Sequence, residues 1–95
     1  YIILERNVRT PFGEIDLVAR QGEVLCFIEV KSRTSEAFGH PFEAVTSAKQ
    51  ATMRRCAAFL LQVRKWDDAC RFDVVAVLPG ADGKPKVEIL ADAFQ

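Results

Sequence analysis

Long hydrophobic runs are missing from this sequence of 95 residues. No stretch approaches the roughly 20 apolar residues that a membrane-spanning helix requires, and no signal-peptide pattern opens the chain. The sequence therefore predicts a cytoplasmic protein without a membrane partner. Hydrophobic residues still make up 49% of the chain, which is enough for one core, so we expect a single domain over residues 1–95.

Histidine and cysteine are scarce. A histidine-based dyad or triad would depend on His40 alone, so we do not expect one. The cysteines, Cys26, Cys56 and Cys70, are widely spaced, and no Cys or His pair has the spacing of a zinc site. Because all three cysteines lie in apolar runs, we expect buried free thiols in a reducing compartment.

Net charge is also absent, since 13 Lys and Arg balance 13 Asp and Glu. This balance argues against a protein that binds nucleic acid through bulk electrostatic attraction. The charges are nevertheless unevenly distributed, because residues 44–66 contain several basic side chains and no acidic one. The basic residues are Lys49, Arg54, Arg55, Arg64 and Lys65. Such a segment fits either a helix that contacts phosphates or a helix with a solvated basic face.

Two short segments, residues 13–19 and 27–33, carry the most informative pattern. Ile, Leu, Val and Phe dominate both, and polar residues recur at every second position, which predicts two strands. The chain between them supplies a turn, and we expect Gln21 and Gly22 to form a two-residue loop. The two strands are therefore predicted to pair as a hairpin.

The register of this hairpin places carboxylates on one face. With that loop, Glu14 lies directly opposite Glu29, Asp16 lies diagonal to Glu29, and Lys31 follows one side-chain step further along. The other face is wholly apolar and is predicted to be core. It consists of Ile15, Leu17, Ala19, Val24, Cys26, Ile28 and Val30.

Clustered carboxylates are costly unless a cation offsets them. Two carboxylates about 5 Å apart repel by roughly 3 kcal/mol at an effective dielectric constant of about 20. Hard cations such as Mg²⁺ bind such oxygen clusters. Asp16, twelve further residues and then Glu29-x-Lys31 form the pattern that metal-assisted phosphodiester hydrolysis requires, with the lysine beside the attacking water. The alternative is an ordinary ion pair between Glu29 and Lys31 on a solvated sheet face.

The remaining patterns predict an α/β fold with five strands and one long helix. The strands are expected at residues 2–9, 14–20, 23–31, 71–78 and 86–90, and the helix at residues 43–65. Thr46 or Ser47 is placed to cap the helix, and Trp66 is placed to close the core. The order β-β-β-α-β-β predicts a mixed sheet flanked by the helix.

The first turns of this helix carry Lys49 and Gln50, close to where the chain returns after Lys31. An ammonium or amide group there would hold a phosphate or orient Lys31. A surface lysine and a helix-capping glutamine are the alternatives.

Several motifs, taken in order, resemble those of the bacterial YraN family, whose uncharacterised members are related to archaeal Holliday junction resolvases. The motifs are Leu4-Glu5-Arg6-Asn7-Val8-Arg9, the segments 13–19 and 28–33, residues 42–46 with Lys49, residues 71–75, and Ala93-Phe94. This resemblance spans nearly the whole chain. It implies a restriction-endonuclease-like fold, a mixed β-sheet with an Asp…Glu-x-Lys nuclease core.

The same resemblance implies roles for individual residues. Asp16 and Glu29 would ligate Mg²⁺, with the carbonyl of Val30 between them. Lys31 would position or deprotonate the attacking water and stabilise the charge that develops on the phosphorane. Glu14 would be an auxiliary ligand or would lie just behind the ligands.

The activity that follows from the resemblance is Mg²⁺-dependent endonucleolytic hydrolysis of DNA, with branched DNA as the substrate. Phosphate contacts are expected from Arg33, Lys49, Arg54 and Arg55. Since resolvases act as dimers on two-fold junctions, a homodimer is implied as well. A non-catalytic module on the nuclease fold, binding nucleic acid or another protein, is the alternative.

Relatives in this superfamily carry an N-terminal helix with a glutamate that completes the metal site. The present sequence starts after the position where that helix would end. The resemblance therefore predicts that the acidic cluster within residues 1–95 lacks the glutamate of that helix.

Overall fold

The computed structural model describes residues 1–32 and 41–95. These residues form a five-stranded mixed sheet with one long helix packed against it. The strands are β1 (Ile2–Thr10), β2 (Gly13–Gln21), β3 (Val24–Ser32), β4 (Ala69–Pro79) and β5 (Pro85–Phe94), and the helices are a short 3₁₀ turn (Pro41–Ala44) and α1 (Ser47–Val63). The arrangement confirms the predicted α/β class and is consistent with a restriction-endonuclease-like fold.

The strands lie in the sheet in the order in which they occur along the chain. Neighbouring strands are antiparallel, except that β3 and β4 are parallel. Parallel strands need a long crossover, and α1 lies in the segment that connects these two. The predicted mixed sheet is therefore confirmed.

The helix is capped as expected, although it begins later than predicted. The Oγ1 of Thr46 accepts a hydrogen bond of 3.2 Å from the backbone N–H of Lys49, as an N-cap residue does. Residues 41–44 form a separate 3₁₀ turn, so α1 itself starts at Ser47. At the other end Lys65 has a φ of 55°, a conformation that commonly ends helices, and Trp66 packs against the core as predicted.

The larger part of the core lies between the sheet and α1. Its buried residues are Val8, Ile15, Val18, Leu25, Phe27, Val45, Met53, Cys56, Ala57, Leu60, Phe72 and Val74. The predicted apolar face of the hairpin does hold a buried cluster, but the larger cluster lies on its other face. The helix covers the face that also carries the carboxylates, because Val18, Leu25 and Phe27 present apolar surface there that α1 can bury.

The opposite face of the sheet has a smaller buried cluster, formed by Ala19, Cys26 and Ile28. The partly buried residues around it are Leu17, Val24, Val30 and Val75. Ile15 was predicted on this face but lies in the helix-side core. The strict alternation of β2 is therefore broken between Ile15 and Leu17, at Asp16.

Two of the three cysteines follow the prediction. Cys26 and Cys56 are buried free thiols, whereas Cys70 is free but exposed, so the prediction of burial was wrong for Cys70. This residue is the second of β4, outside the two buried clusters. In the part of the chain that is described, no helix is both long and apolar enough to span a membrane.

Candidate functional site

The hairpin of β2 and β3 has a different register from the predicted one. Gln21 pairs with Val24, so the loop consists of Gly22 and Glu23. Gly22 has a φ of 60°, and tight hairpin turns of type II′ need glycine at the first loop position. The sequence-based loop placed this glycine second, which displaced the register by two residues.

This shift changes which carboxylates meet. The ladder runs to the pair Leu17–Ile28, so the next level along the strands brings Asp16 beside Glu29. The predicted pairing of Glu14 with Glu29 is wrong. A displacement by two residues does not by itself exchange the faces of a strand, so the register shift still brings Asp16 and Glu29 together, whereas Ile15 changes face through the local break in alternation.

A side-chain hydrogen bond holds Asp16 in place. Its Oδ2 accepts a hydrogen bond of 2.8 Å from the backbone N–H of Val30, at the level where the β2–β3 ladder ends. The carboxylate thereby takes the place of a backbone acceptor and is directed toward β3. Asp16 also lies beside Glu29 at this level of the sheet, and its carboxylate raises the pKa of Glu29.

Glu29 is buried among charged groups, with 6% of its surface exposed. Burial raises the pKa of Glu29, and the hydrogen bond with Asp16 raises it further, whereas Lys49 opposes both effects. A carboxyl group with a raised pKa next to a second carboxylate is a common feature of functional sites.

Two lysines approach Glu29 from different elements. Lys49 Nζ, from the first turn of α1, lies 3.1 Å from Glu29 Oε2. Lys31 Nζ, from β3 itself, lies 3.9 Å from Glu29 Oε1. The site thus combines Asp16 from β2, Glu29 and Lys31 from β3, and Lys49 from the helix.

The donor set of this site meets the needs of a small divalent cation. Among the residues described, no three His, Cys, Asp or Glu side chains come together as a metal-ligating group. Mg²⁺ is, however, commonly held by one or two carboxylates, with water and substrate phosphate completing its shell. Asp16 and Glu29 supply two hard oxygen donors of this kind, so they fit Mg²⁺.

The other residues predicted for the site lie elsewhere or make other contacts. Glu14 pairs with Arg9 of β1, with Arg9 Nε 3.9 Å from Glu14 Oε2, and its side chain is 42% exposed. The side-chain amide of Gln50 donates a hydrogen bond of 3.1 Å to the carbonyl oxygen of Val45. Val30 contributes its backbone N–H to Asp16, as described above.

The predicted phosphate-binding residues are distributed along α1. The guanidinium of Arg54 lies 5.8 Å from the centre of the Phe94 ring and donates to the carbonyl oxygen of Gln95. Arg55 is exposed and lines a surface cavity that Phe12 and Phe59 also border. Arg33 and His40 lie outside the described residues.

Comparison with known proteins identifies the family. The profile of the uncharacterised protein family UPF0102 matches residues 1–77 of the chain. The chain belongs to this family. The match confirms the resemblance to YraN proteins that the motifs indicated.

Individual UPF0102 proteins match over nearly the whole chain. A UPF0102 protein of Symbiobacterium thermophilum is 47% identical over 95 residues, which is 99% of this chain and 80% of the relative. A UPF0102 protein of Moorella thermoacetica is 50% identical over 96 residues, covering 99% and 80%. One from Beutenbergia cavernae is 54% identical over 89 residues, covering 93% and 75%.

Sequence reasoning missed one residue beside the site within the UPF0102 match. Asn7 lies between the Arg6–Leu17 and Val8–Ile15 pairs, so it faces Asp16 across β1 and β2. Its φ of 51° breaks the alternation of β1 at the level where β2 is also irregular. With Arg6, Leu17 and Val30, the two residues Asn7 and Asp16 border a surface cavity. Asparagine is rare within strands and tolerates this conformation, which was the available signal.

Proposed function

We propose that this UPF0102 chain carries a Mg²⁺-dependent endonuclease site that hydrolyses phosphodiester bonds in DNA. The observation that supports it is the adjacent placement of Asp16 and Glu29, two carboxylates from neighbouring strands, with the ammonium of Lys31 near Glu29. Such a pair is unfavourable in a partly buried site unless cations offset it. A divalent cation and a phosphodiester together would use all three groups.

In this proposal the carboxylates of Asp16 and Glu29 would hold the metal ion. The bound ion would supply positive charge to the phosphoryl oxygen and lower the pKa of its bound water. Asp16 would keep its hydrogen bond to the Val30 N–H, which fixes the direction in which its free oxygen points. Glu29, held on β3 with 6% exposure, has little freedom to move, so the two oxygens would meet a cation without large rearrangement.

Lys31 would act on the nucleophile. It projects from the same face of β3 as Glu29, with its Nζ 3.9 Å from Glu29 Oε1 and its side chain 27% exposed. The ammonium would orient the attacking water and stabilise the negative charge that develops on the phosphorane, and the proton of the water would pass to solvent. This role requires a lysine that both touches the site and reaches solvent.

The test is cleavage of a four-way DNA junction and of a linear duplex in the presence of Mg²⁺. Three variants change one group each: Asp16→Asn, Glu29→Gln and Lys31→Met. We expect each to lower the rate by at least about a hundredfold, the usual effect of losing a group that acts on the reacting atoms. Faster cleavage of the junction than of the duplex would support branched DNA as the substrate class.

Glu23→Gln is the matched control, because it neutralises one carboxylate of the same hairpin in its exposed turn. It should cleave like the wild type. Activity that survives unchanged in all three site variants would contradict the proposal. Light scattering of the protein with and without the junction would show whether it forms the homodimer that the resolvase resemblance implies.

A second candidate function is a binding module on the same fold. It is favoured by the contact of Lys49 with Glu29, since a carboxylate already paired with a lysine needs no metal ion. This candidate predicts that Glu29→Gln retains full affinity for the junction while no Mg²⁺ binds to the wild type. Titration of both proteins with labelled junction DNA, with and without Mg²⁺, separates the two functions.

A further inference from the structure

The carboxylate of Glu29 lies between two ammonium groups. Lys49 Nζ is 3.1 Å from Oε2, and Lys31 Nζ is 3.9 Å from Oε1. Only 8% of the Glu29 side chain is exposed, so water and salt screen these charges weakly. Each carboxylate oxygen of Glu29 that a metal ion would use therefore already faces a lysine ammonium group.

The charged groups of the site balance one another. When ionised, Asp16 and Glu29 contribute two negative charges, and Lys31 and Lys49 contribute two positive charges. Two carboxylates can therefore adjoin at low exposure without an added ion. A divalent cation would bring two more positive charges, and its approach to Glu29 Oε2 would compete with Lys49.

The charge preferences of a helix do not explain why a lysine occupies position 49. Thr46 caps α1, so Lys49 is the third helical residue, where a capping box would have Glu or Gln. The dipole of a helix favours acidic side chains in the first turn, and the first turn of α1 has none. The Lys49 ammonium is thus stabilised by Glu29 and disfavoured by the helix.

We propose that Lys49 is an exchangeable internal cation of this site. Without a metal ion it neutralises Glu29, and on binding of a divalent cation it leaves Glu29 and becomes available to a phosphate group of the substrate. This proposal rests on the metal ion of the proposed function.

The experiment measures Mg²⁺ affinity by isothermal titration calorimetry, without DNA, for the wild type and three variants. Lys49→Met removes the ammonium and retains the length of the side chain, and Lys49→Arg retains the charge. Lys86→Met is the matched control, since it removes a lysine charge from β5, where the Lys86 side chain is 63% exposed. Lys49→Gln replaces Lys49→Met if the latter does not fold.

We expect Lys49→Met to bind Mg²⁺ about tenfold more tightly than the wild type, a difference of about 1.4 kcal/mol. Lys86→Met should stay within about twofold of the wild type, because remote exposed charges are screened. Lys49→Arg should not gain affinity. Thermal unfolding supplies a second measurement: in EDTA, Lys49→Met should unfold at a lower temperature than the wild type, and Mg²⁺ should raise its Tm by more.

The outcomes separate this proposal from the proposed function. Equal or weaker Mg²⁺ binding by Lys49→Met, with binding by the wild type, overturns the exchange and leaves the metal-dependent nuclease in place. Binding by Lys49→Met alone overturns the exchange, because Lys49 would then exclude the metal ion from the wild type, and it counts against a metal-dependent nuclease as well. Failure of both proteins to bind Mg²⁺ overturns the exchange and removes the metal ion from the proposed function.

Discussion

The carboxylate of Asp16 accepts a hydrogen bond of 2.8 Å from the backbone N–H of Val30, although 14 positions of sequence separate the two residues. The bond closes the end of the β2–β3 ladder with a side chain. One residue would therefore serve two purposes under the proposed function, since the same carboxylate is a proposed ligand of the metal ion. The stability of the hairpin and the chemistry of the site would then be coupled through this carboxylate.

Replacement of Asp16 should separate these two purposes. Asp16→Ala leaves the Val30 N–H without its acceptor and should lower the free energy of unfolding by about 1.5–3 kcal/mol, whereas Asp16→Asn keeps an acceptor and should cost less than about 1 kcal/mol. Both variants relieve the repulsion with Glu29, so the difference between them isolates the hydrogen bond. Urea denaturation in EDTA measures it, and equal stability of the two variants would show that the hydrogen bond contributes nothing.

Gly13, at the start of β2, should not tolerate a side chain. Its φ is 145°, and a Cβ added there would lie 2.8 Å from Cγ2 of Thr52 on α1. We expect Gly13→Ala to lower the free energy of unfolding by about 2 kcal/mol, from backbone strain and from overpacking against the helix.

Thr52→Ser tests the steric part of that effect. It removes the methyl group that the new Cβ would meet, and a serine can keep the 3.2 Å hydrogen bond that the Thr52 hydroxyl donates to the Ala48 carbonyl. The double variant Gly13→Ala/Thr52→Ser should therefore recover part of the lost stability, as measured by thermal unfolding. Purely additive effects of the two substitutions would contradict a contact between them.

Much of the fold could be predicted from local patterns. Alternating apolar residues located the strands, and Thr46 followed by a three-and-four spacing located the helix and its cap. These features depend on interactions between residues close in the sequence. They survived a register error in the hairpin, because a slip of two residues does not exchange the faces of a strand.

The features that could not be predicted depend on backbone conformation or on long-range packing. The register of the hairpin depends on whether the glycine with positive φ, Gly22, is the first or the second residue of the loop. The neighbouring residue Gln21 does not indicate which of the two applies. The contact of Lys49 with Glu29 joins residues twenty positions apart, and only the packing of α1 on the sheet brings them together. For the same reason, the sequence did not show that the larger core lies on the face that carries the carboxylates, since it does not state which face α1 covers.

An ion pair on β4 with a fully buried carboxylate should make stability depend on pH. Asp73 is 0% exposed, and its Oδ1 lies 3.0 Å from Nε of Arg71. Burial alone would raise the pKa of Asp73, but hydrogen bonds from Arg71, from the backbone N–H of Asp92 and from the Tyr1 hydroxyl outweigh it, so the pKa lies below its ordinary value of 3.8. A carboxyl group with a lowered pKa stabilises the folded state above its unfolded pKa, and this contribution is lost as the pH falls.

The variant Asp73→Asn measures this contribution. At pH 7 it should lower the free energy of unfolding by about 3 kcal/mol, which is the smallest effect usual for breaking a buried ion pair. We expect the smallest effect because the Arg71 side chain is still 21% exposed. The difference from the wild type should narrow as the pH falls below about 4, since the unfolded chain then takes up a proton at Asp73 before the folded protein, whose pKa there is lowered, does so. Urea denaturation across this range supplies the values. A difference that stays constant with pH would mean that Asp73 does not act through its charge.

The salt dependence of DNA binding should show whether α1 faces phosphates. Arg55 is exposed, whereas Arg64 already donates to both oxygens of Glu5, at 3.1 and 2.8 Å. Under the proposed function, Arg55→Ala should reduce the slope of log affinity against log salt concentration by about 0.9, the value for one phosphate contact.

Arg64→Ala is the control, since it removes the same charge at the end of the same helix. It should leave the slope unchanged because the Arg64 guanidinium is already bound to Glu5. Fluorescence anisotropy of a labelled junction over a salt series gives both slopes, and identical slopes for wild type and Arg55→Ala would exclude this part of the helix from the DNA interface.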